Sequence, residues 1–320
     1  MSDVIGLVLP FFGLIFIGFV VARITREPLE ALGWMNTFII YVALPALFFQ
    51  LLAKTPFERL TEWGFILGSV ASTYIVFTIM FAGSLLFSGG GIAEATIKAL
   101  SAAYGNIGYM GPGLALLAFG EEAAVPVALI FCFENIVHFA VAPMMMALAG
   151  DDDSTAAQLV TGVIRRIVLH PFIIATAFGV AAAYVGLRPP LPVERLLSYL
   201  SAAAAPCALF AMGVTLALRP LRRVPVEMAP IAILKLVIHP LLCYVVLSWI
   251  GDFSPVWTFS AVLLAALPTA TNVFVIAQQY NVWVQRASAS ILITTCLSVA
   301  TVTAWLIAIR SGVLPADLFP

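Results

Sequence analysis

The chain has 320 residues, of which 62% are hydrophobic and 10% charged, with a formal net charge of −1. A soluble domain carries about a quarter charged residues, so this composition and a mean hydropathy of +1.09 exclude an ordinary water-soluble enzyme and point to a lipid bilayer as its solvent. No basic cluster offers a surface for nucleic acid, and no such partner is expected.

Apolar runs of about twenty residues, each long enough to cross a membrane as a helix, recur along the chain. They fall at 4–22, 33–52, 63–87, 94–118, 122–148, 163–186, 192–218, 226–250, 255–279 and 285–309. The first follows Met1-Ser-Asp3, which has no basic residue, and has full spanning length. It is therefore expected to stay as a span, not to be cleaved as a signal peptide. A short cytoplasmic linker, 149–162, carries Gly150-Asp-Asp-Asp-Ser154 and reads as a solvated loop; residues 311–320 form a tail.

Lys and Arg set the expected orientation. With the N-terminus outside, Arg23, Arg26, Lys98, Arg165, Arg166, Arg219, Arg222, Arg223 and Arg286 face the cytoplasm. Lys54, Arg59, Arg188, Arg195 and Arg310 face outward, and Lys235 lies within a span. The bias puts both termini on the outer side. Trp34, Trp63, Trp249 and Trp257 sit near span ends, as an interfacial belt requires, and Met144–Met146 reads as packing. The cysteines (Cys132, Cys207, Cys243, Cys296) lie in apolar runs without a C-x-x-C pair, and read as small buried hydrophobes.

An internal repeat runs through these spans. VLPFFGLIFIGFVVA at 8–22 resembles LHPFIIATAFGVAAA at 169–183, matching Pro10 to Pro171, Phe11 to Phe172, Gly18 to Gly179 and Ala22 to Ala183. The same offset of 161 residues carries Pro45 onto Pro206 and span four nearly onto span nine. A five-span unit thus occurs twice, over 1–148 and 163–310. Because five is odd, the second copy enters the membrane from the opposite side, as in secondary transporters.

Spans four and nine are irregular at mid-depth. Span four contains Tyr104-Gly-Asn-Ile-Gly-Tyr-Met-Gly-Pro-Gly113, and span nine contains Leu267-Pro-Thr-Ala-Thr-Asn272. Proline and clustered glycine break helices, and broken backbone is tolerated in hydrocarbon only inside protein or beside a wet cavity. Gly111, Pro112, Gly113 and Pro268 are the expected breakers. Two crossed, broken helices present half-helix N-termini that attract anions. Asn106, Thr269, Thr271 and Asn272 add neutral donors there, which favours a small organic anion, such as a carboxylate, over a cation or a sugar.

Ionisable residues also lie within spans. Glu134, Asn135 and His138 occur in FCFENIVHFA, and Lys235 and His239 repeat the four-residue spacing before Pro240. Such groups face a cavity or a partner. One reading makes Glu134 and Lys235 couple transport to a proton or cation, or balance charge at the crossing. The other makes them a fixed ion pair, with His239 capping carbonyls freed by Pro240. Carbonyls at the breaks with Glu, Asn and Thr also supply the hard oxygen ligands a sodium ion takes. At offset 161, Glu134 meets Thr295, so only one half offers a carboxylate, which favours a proton. No cofactor or resident metal is expected.

The motifs N-x-G-Y-M-G-P at 106–112, L-P-T-A-T-N at 267–272 and A-L-P-A-L at 43–47 resemble the auxin efflux carrier family. That family groups the plant PIN proteins with bacterial permeases of the malonate-transporter type. The resemblance covers essentially the whole chain. It implies an all-helical polytopic fold of ten transmembrane helices, similar to the bile-acid sodium symporters. Helices 1, 2, 6 and 7 would form a scaffold and helices 3–5 and 8–10 a moving transport domain, in an elevator-type homodimer. It also implies substrate contacts at Asn106, Gly108, Tyr109, Pro268, Thr269, Thr271 and Asn272. The short central linker departs from the long loop of many plant PINs and favours a bacterial-type carboxylate permease of the inner membrane over an auxin carrier. A sodium-coupled symporter and a channel or receptor on the same fold are the alternatives. An enzyme is disfavoured, since His138, His170 and His239 lie in separate spans without H-E-x-x-H or G-x-S-x-G. No phosphate-binding loop for ATP occurs.

Overall fold

A computed structural model describes residues 2–150, 156–218, 225–315 and 317–319. The Asp151–Asp153 run and Arg219, Arg222 and Arg223 lie outside the described residues. Among the described residues the chain is helical, with a single isolated β-bridge and no strand.

Helix α1 covers Ser2–Thr25, α2 covers Leu29–Ala53 and α3 covers Trp63–Phe87. The predicted fourth span is two helices, α4 (Ile92–Ala103) and α5 (Gly111–Phe119). Helix α6 (Glu121–Leu148) follows. After it come α7 (Ala156–Val168), α8 (Pro171–Val185), α9 (Leu191–Leu218) and α10 (Met228–Ile250). The predicted ninth span is again two helices, α11 (Pro255–Ala265) and α12 (Thr271–Gln279), before α13 (Val284–Arg310). Six helices (α2, α3, α6, α9, α10 and α13) are long and apolar enough to cross a bilayer. Leu9–Thr25, Pro171–Val185 and Pro255–Ala265 are shorter apolar helices.

The predicted sixth span, 163–186, is not one helix. Its first residues close α7, and the apolar helix starts at Pro171. His170 is extended (φ −71°, ψ 128°), because a following proline disfavours helical backbone at the residue before it. Proline then opens α8 without loss, since a first-turn N–H has no intrahelical acceptor. Gly186 ends α8 with φ +66°. Its N–H donates to Ala183 O at 3.3 Å and that of Leu187 to Ala182 O at 2.8 Å, a Schellman stop.

The helices gather into two compact units. The first takes 1–62, 108–132 and 168–220; the second takes 63–107, 133–167 and 221–320.

Glycines set the packing of the first unit. A Cβ added at Gly18 of α1 would lie 2.2 Å from the carbonyl oxygen of Phe210, and one at Gly213 of α9 would lie 1.9 Å from that of Ile15. The backbones of α1 and α9 touch where no side chain fits. Helices α8 and α2 meet in the same way, though less tightly. A Cβ at Gly179 would lie 3.0 Å from Leu52 Cβ and 3.2 Å from Phe49 O. Gly18 and Gly179 are 161 residues apart, and so are their partners Phe49 and Phe210. The rings of Phe48 and Phe131 stack at 4.5 Å, and Phe172 tilts onto Phe131 at the same distance.

The second unit has its own core. Val76, Phe77 and Met80 of α3 pack with Ile97, Ala99 and Leu100 of α4, Met146 of α6, Met228 and Ile231 of α10 and Val273 of α12. Phe65 is held edge-on by Phe253 and Trp257 at 5.5 and 4.8 Å. Trp257 is therefore a buried core residue, whereas Trp34, Trp63 and Trp249 are exposed. Of the cysteines, Cys132 and Cys243 are buried, but Cys207 is half-buried and Cys296 exposed. Helix α10 contains one π-helical turn, Leu234–Ile238, the kind of irregularity found at functional positions. Lys235 sits on it.

Candidate functional site

The two interrupted helices of the second unit meet at their breaks. Helix α4 stops at Ala103 because Tyr104 turns extended (φ −73°, ψ 99°). Pro268 cannot donate to the preceding turn, and Ala270 is extended before α12 begins (φ −68°, ψ 143°). The freed segments run antiparallel, with Gly105 opposite Thr269. Asn106 N–H donates to Pro268 O at 2.7 Å, and Ala270 N–H donates to Tyr104 O at 2.9 Å. Backbone groups that both helices release thus satisfy one another away from water.

Thr269 completes this joint. Its hydroxyl donates to Ser101 O at 2.7 Å, and its N–H donates to Thr294 Oγ1 at 3.1 Å. It is fully buried, so Thr269 caps the crossing and holds no donor in reserve for a ligand. Asn106 is buried beside it, whereas Thr271 and Asn272, at the start of α12, are only half-buried. No side chain caps the N-terminus of α12, which leaves its positive dipole end open to an anion.

Tyr104 organises the polar groups around the break. Its hydroxyl donates to Asn135 Oδ1 and accepts from Asn272 Nδ2 at 2.8 Å. Its ring stacks on His138, with centroids 3.9 Å apart. His138 Nδ1 meets the Tyr74 hydroxyl at 2.8 Å, while its Nε2 is buried with no hydrogen-bond partner. With Tyr74 donating, the proton of His138 sits on Nε2.

A second polar chain lies in the same unit. Glu134, Thr73, His239 and Lys235 are all buried. Thr73 Oγ1 donates to Glu134 Oε1 at 2.8 Å and meets His239 Nε2 at 3.0 Å. Lys235 Nζ meets His239 Nδ1 at 2.9 Å and donates to Ala265 O at 2.6 Å. A Cβ at Gly105 would lie 3.2 Å from Lys235 Nζ, so the ammonium sits directly against the crossing. It also faces the carbonyl end of α11, where a cation is stabilised by the helix dipole. Glu134 and Lys235 do not form a direct ion pair; they are joined through Thr73 and His239. His239 is occupied by this chain and does not cap carbonyls near Pro240.

The structure therefore brings together Asn106, Glu134, Asn135, His138, Lys235, Pro268, Thr269, Thr271 and Asn272 in one unit. The other candidates lie in the first unit. Gly108 packs under Phe131, where a Cβ would lie 2.7 Å from the ring, and Tyr109 follows, half-buried. Gly111 and Pro112 open α5 rather than break it, and Gly113 packs against Ala205 and Phe11. The break itself is 104–110. Sequence reasoning missed Tyr104, Thr73 and Tyr74 as site residues. Tyr104 adjoins the Gly-Asn break and could have been found there; Thr73 and Tyr74 carry no signal in a span rich in hydroxyl residues.

Six helices long and apolar enough to cross a bilayer, with two further predicted spans each broken into a pair of short helices that meet at their breaks, fit a membrane transport protein. A family model described as "Membrane transport protein" matches residues 3–306. The chain belongs to this family, which is auxin efflux carrier-like, and is a membrane transporter, not an enzyme. It is 63% identical, over the full length of both chains, to a protein of Rhizobium meliloti (strain 1021) named "Putative malonate transporter". An "Uncharacterized transporter" of Methanothermobacter thermautotrophicus is 24% identical over 91% of this chain and 94% of its own. "Uncharacterized transporter YfdV" of Escherichia coli (strain K12) is 23% identical over 94% and 96%.

Proposed function

We propose that the protein is a secondary active transporter of small carboxylates, malonate first among them, working by elevator-type alternating access. The observation that carries this reading is the crossing at Gly105 and Thr269. There an uncapped helix N-terminus and the second N–H of the Asn272 amide, oriented by the Tyr104 hydroxyl, lie in the same unit as the buried ammonium held against Gly105. Together they complement a carboxylate without an arginine, so release costs less than it would from a bidentate pair. The name of the Rhizobium meliloti relative supports malonate as the first substrate to test.

The reading takes the chain as ten spans in two inverted repeats. The matched pairs Gly18–Phe210 and Gly179–Phe49, exchanged by one offset of 161 residues, are what such a repeat requires. The helices of the first unit (α1, α2, α8 and α9, with α5 and the start of α6) suit a scaffold, and the second unit suits a moving transport domain. The setting proposed is a bacterial inner membrane, with both termini outside and a homodimer as the working form.

The coupling ion proposed is a proton, not sodium. Lys235 already places a cation on the carbonyl of Ala265 at the end of α11, where unwound carbonyls of a sodium-coupled carrier would hold the metal. Glu134 supplies the group that gains and loses the proton.

Uptake of labelled malonate into proteoliposomes, under an imposed proton gradient, tests this. Wild type takes it up saturably, and Asn272→Ala lowers uptake about tenfold, the scale of one lost hydrogen bond to a charged ligand. Equal uptake by both proteins would remove the site from the crossing.

A further inference from the structure

We propose that Glu134, Thr73, His239 and Lys235 form a single proton relay, in which Thr73 and His239 carry a proton between the carboxylate and the ammonium under the crossing. The inference rests on the transport reading above and adds to it Thr73, which neither motif nor spacing singled out, and a proton-carrying role for His239.

Hydrogen-bond direction makes the argument. Thr73 has one hydroxyl hydrogen, and it points to Glu134. Its oxygen must then accept from His239, which fixes the imidazole proton on Nε2 and leaves Nδ1 to accept from Lys235. Each link pairs one donor with one acceptor, and the order reads ammonium, imidazole, hydroxyl, carboxylate. The order can be reversed without breaking a link. Lys235 gives a proton to Nδ1, Nε2 gives its proton to the Thr73 oxygen, and Thr73 gives its own to Glu134. One N–H bond at Lys235 is lost and one O–H bond at Glu134 is gained, while His239 changes tautomer. Both states carry zero net charge over the four residues, which suits a site buried away from water.

An added proton changes the balance. With Glu134 protonated and Lys235 still charged, the set holds one positive charge against Gly105, and a bound carboxylate neutralises it. Proton and anion then favour each other's binding by the same factor. The other titratable groups within electrostatic reach are Tyr74, His138 and Cys243, with Tyr104 beyond them against Tyr74. None of them interrupts the chain of four.

Two arms test the relay. In protein reconstituted in nanodiscs, an infrared carboxyl band absent from Glu134→Gln reports Glu134, and a nitrogen-15 signal absent from His239→Asn reports His239. The relay predicts that both respond to pH with one midpoint in wild type and in Thr73→Ser, and that Thr73→Val separates them. A His239 signal indifferent to Glu134, or a shared midpoint kept in Thr73→Val, overturns the proposal without reference to any substrate. In proteoliposomes, the ratio of gradient-driven malonate accumulation to malonate counterflow falls at least tenfold in Thr73→Val and recovers in Thr73→Ser. An unchanged ratio in Thr73→Val overturns it as well. If wild type exchanges no malonate, the malonate reading falls and the co-titration alone decides the relay.

Discussion

Tyr104 is the residue on which the candidate site turns. Its hydroxyl links Asn135 to Asn272, and its ring covers His138. Tyr104→Phe keeps the stacked ring and leaves two amide groups short of a partner, at about 1–3 kcal/mol for each buried group left unsatisfied. The variant is expected to fold and to raise the KM for malonate at least fivefold, as read from initial uptake rates. An unchanged KM would mean that Asn272 is not held for substrate. At this scale the sequence was half legible. Glu134, Lys235, Asn135 and His138 stand out because polar groups in hydrocarbon are costly, and all four lie in the described network. Thr269 stood out equally, yet it caps Ser101 and is closed to ligand. Spacing places a residue on a face but does not say which carbonyl its hydroxyl reaches.

Helix interruptions were the most legible elements. Pro268 and the glycines after Tyr104 forecast two breaks, and both lie in the predicted spans. The details were less accessible. Gly111-Pro-Gly113 looks like the break but opens α5, because proline is favoured in a first helical turn. The end of the amphipathic α7 was merged with the sixth span and its start with the linker, since Ile164 and Val168 continue the apolar pattern although each is more than half exposed. The α1–α9 contact makes a sharp prediction. Gly213→Val would drive a side chain into the carbonyl of Ile15; overpacking of this kind costs about 1–3 kcal/mol or more. Its thermal unfolding midpoint in detergent is expected to drop by several degrees. Gly13→Ala, with open space around its Cβ, should match wild type. Equal midpoints for Gly213→Val and Gly13→Ala would show that the two backbones do not approach so closely.

For the whole molecule, composition alone placed the chain in a membrane, and the family match over residues 3–306 agrees. The offset of 161 residues was read from prolines and glycines, and in the first unit it also exchanges the partners of Gly18 and Gly179. The resemblance implied a scaffold and a transport domain made of whole helices; what sequence could not give was where the border between the two compact units falls. Each is assembled from three separated stretches, and the border cuts span four between Ile107 and Gly108, inside its break. Long-range contacts of this kind follow no local pattern. The proposed alternating access would expose the site to one side at a time, which a pore does not.

Counterflow of labelled malonate tests this most directly. Proteoliposomes preloaded with unlabelled malonate, and held without any ion gradient, are placed in trace external label. Alternating access through one anion site predicts transient, saturable accumulation of label above its external concentration, lost when the internal malonate is omitted. Label that merely equilibrates, at a rate indifferent to the internal malonate, would contradict a carboxylate carrier and leave a pore.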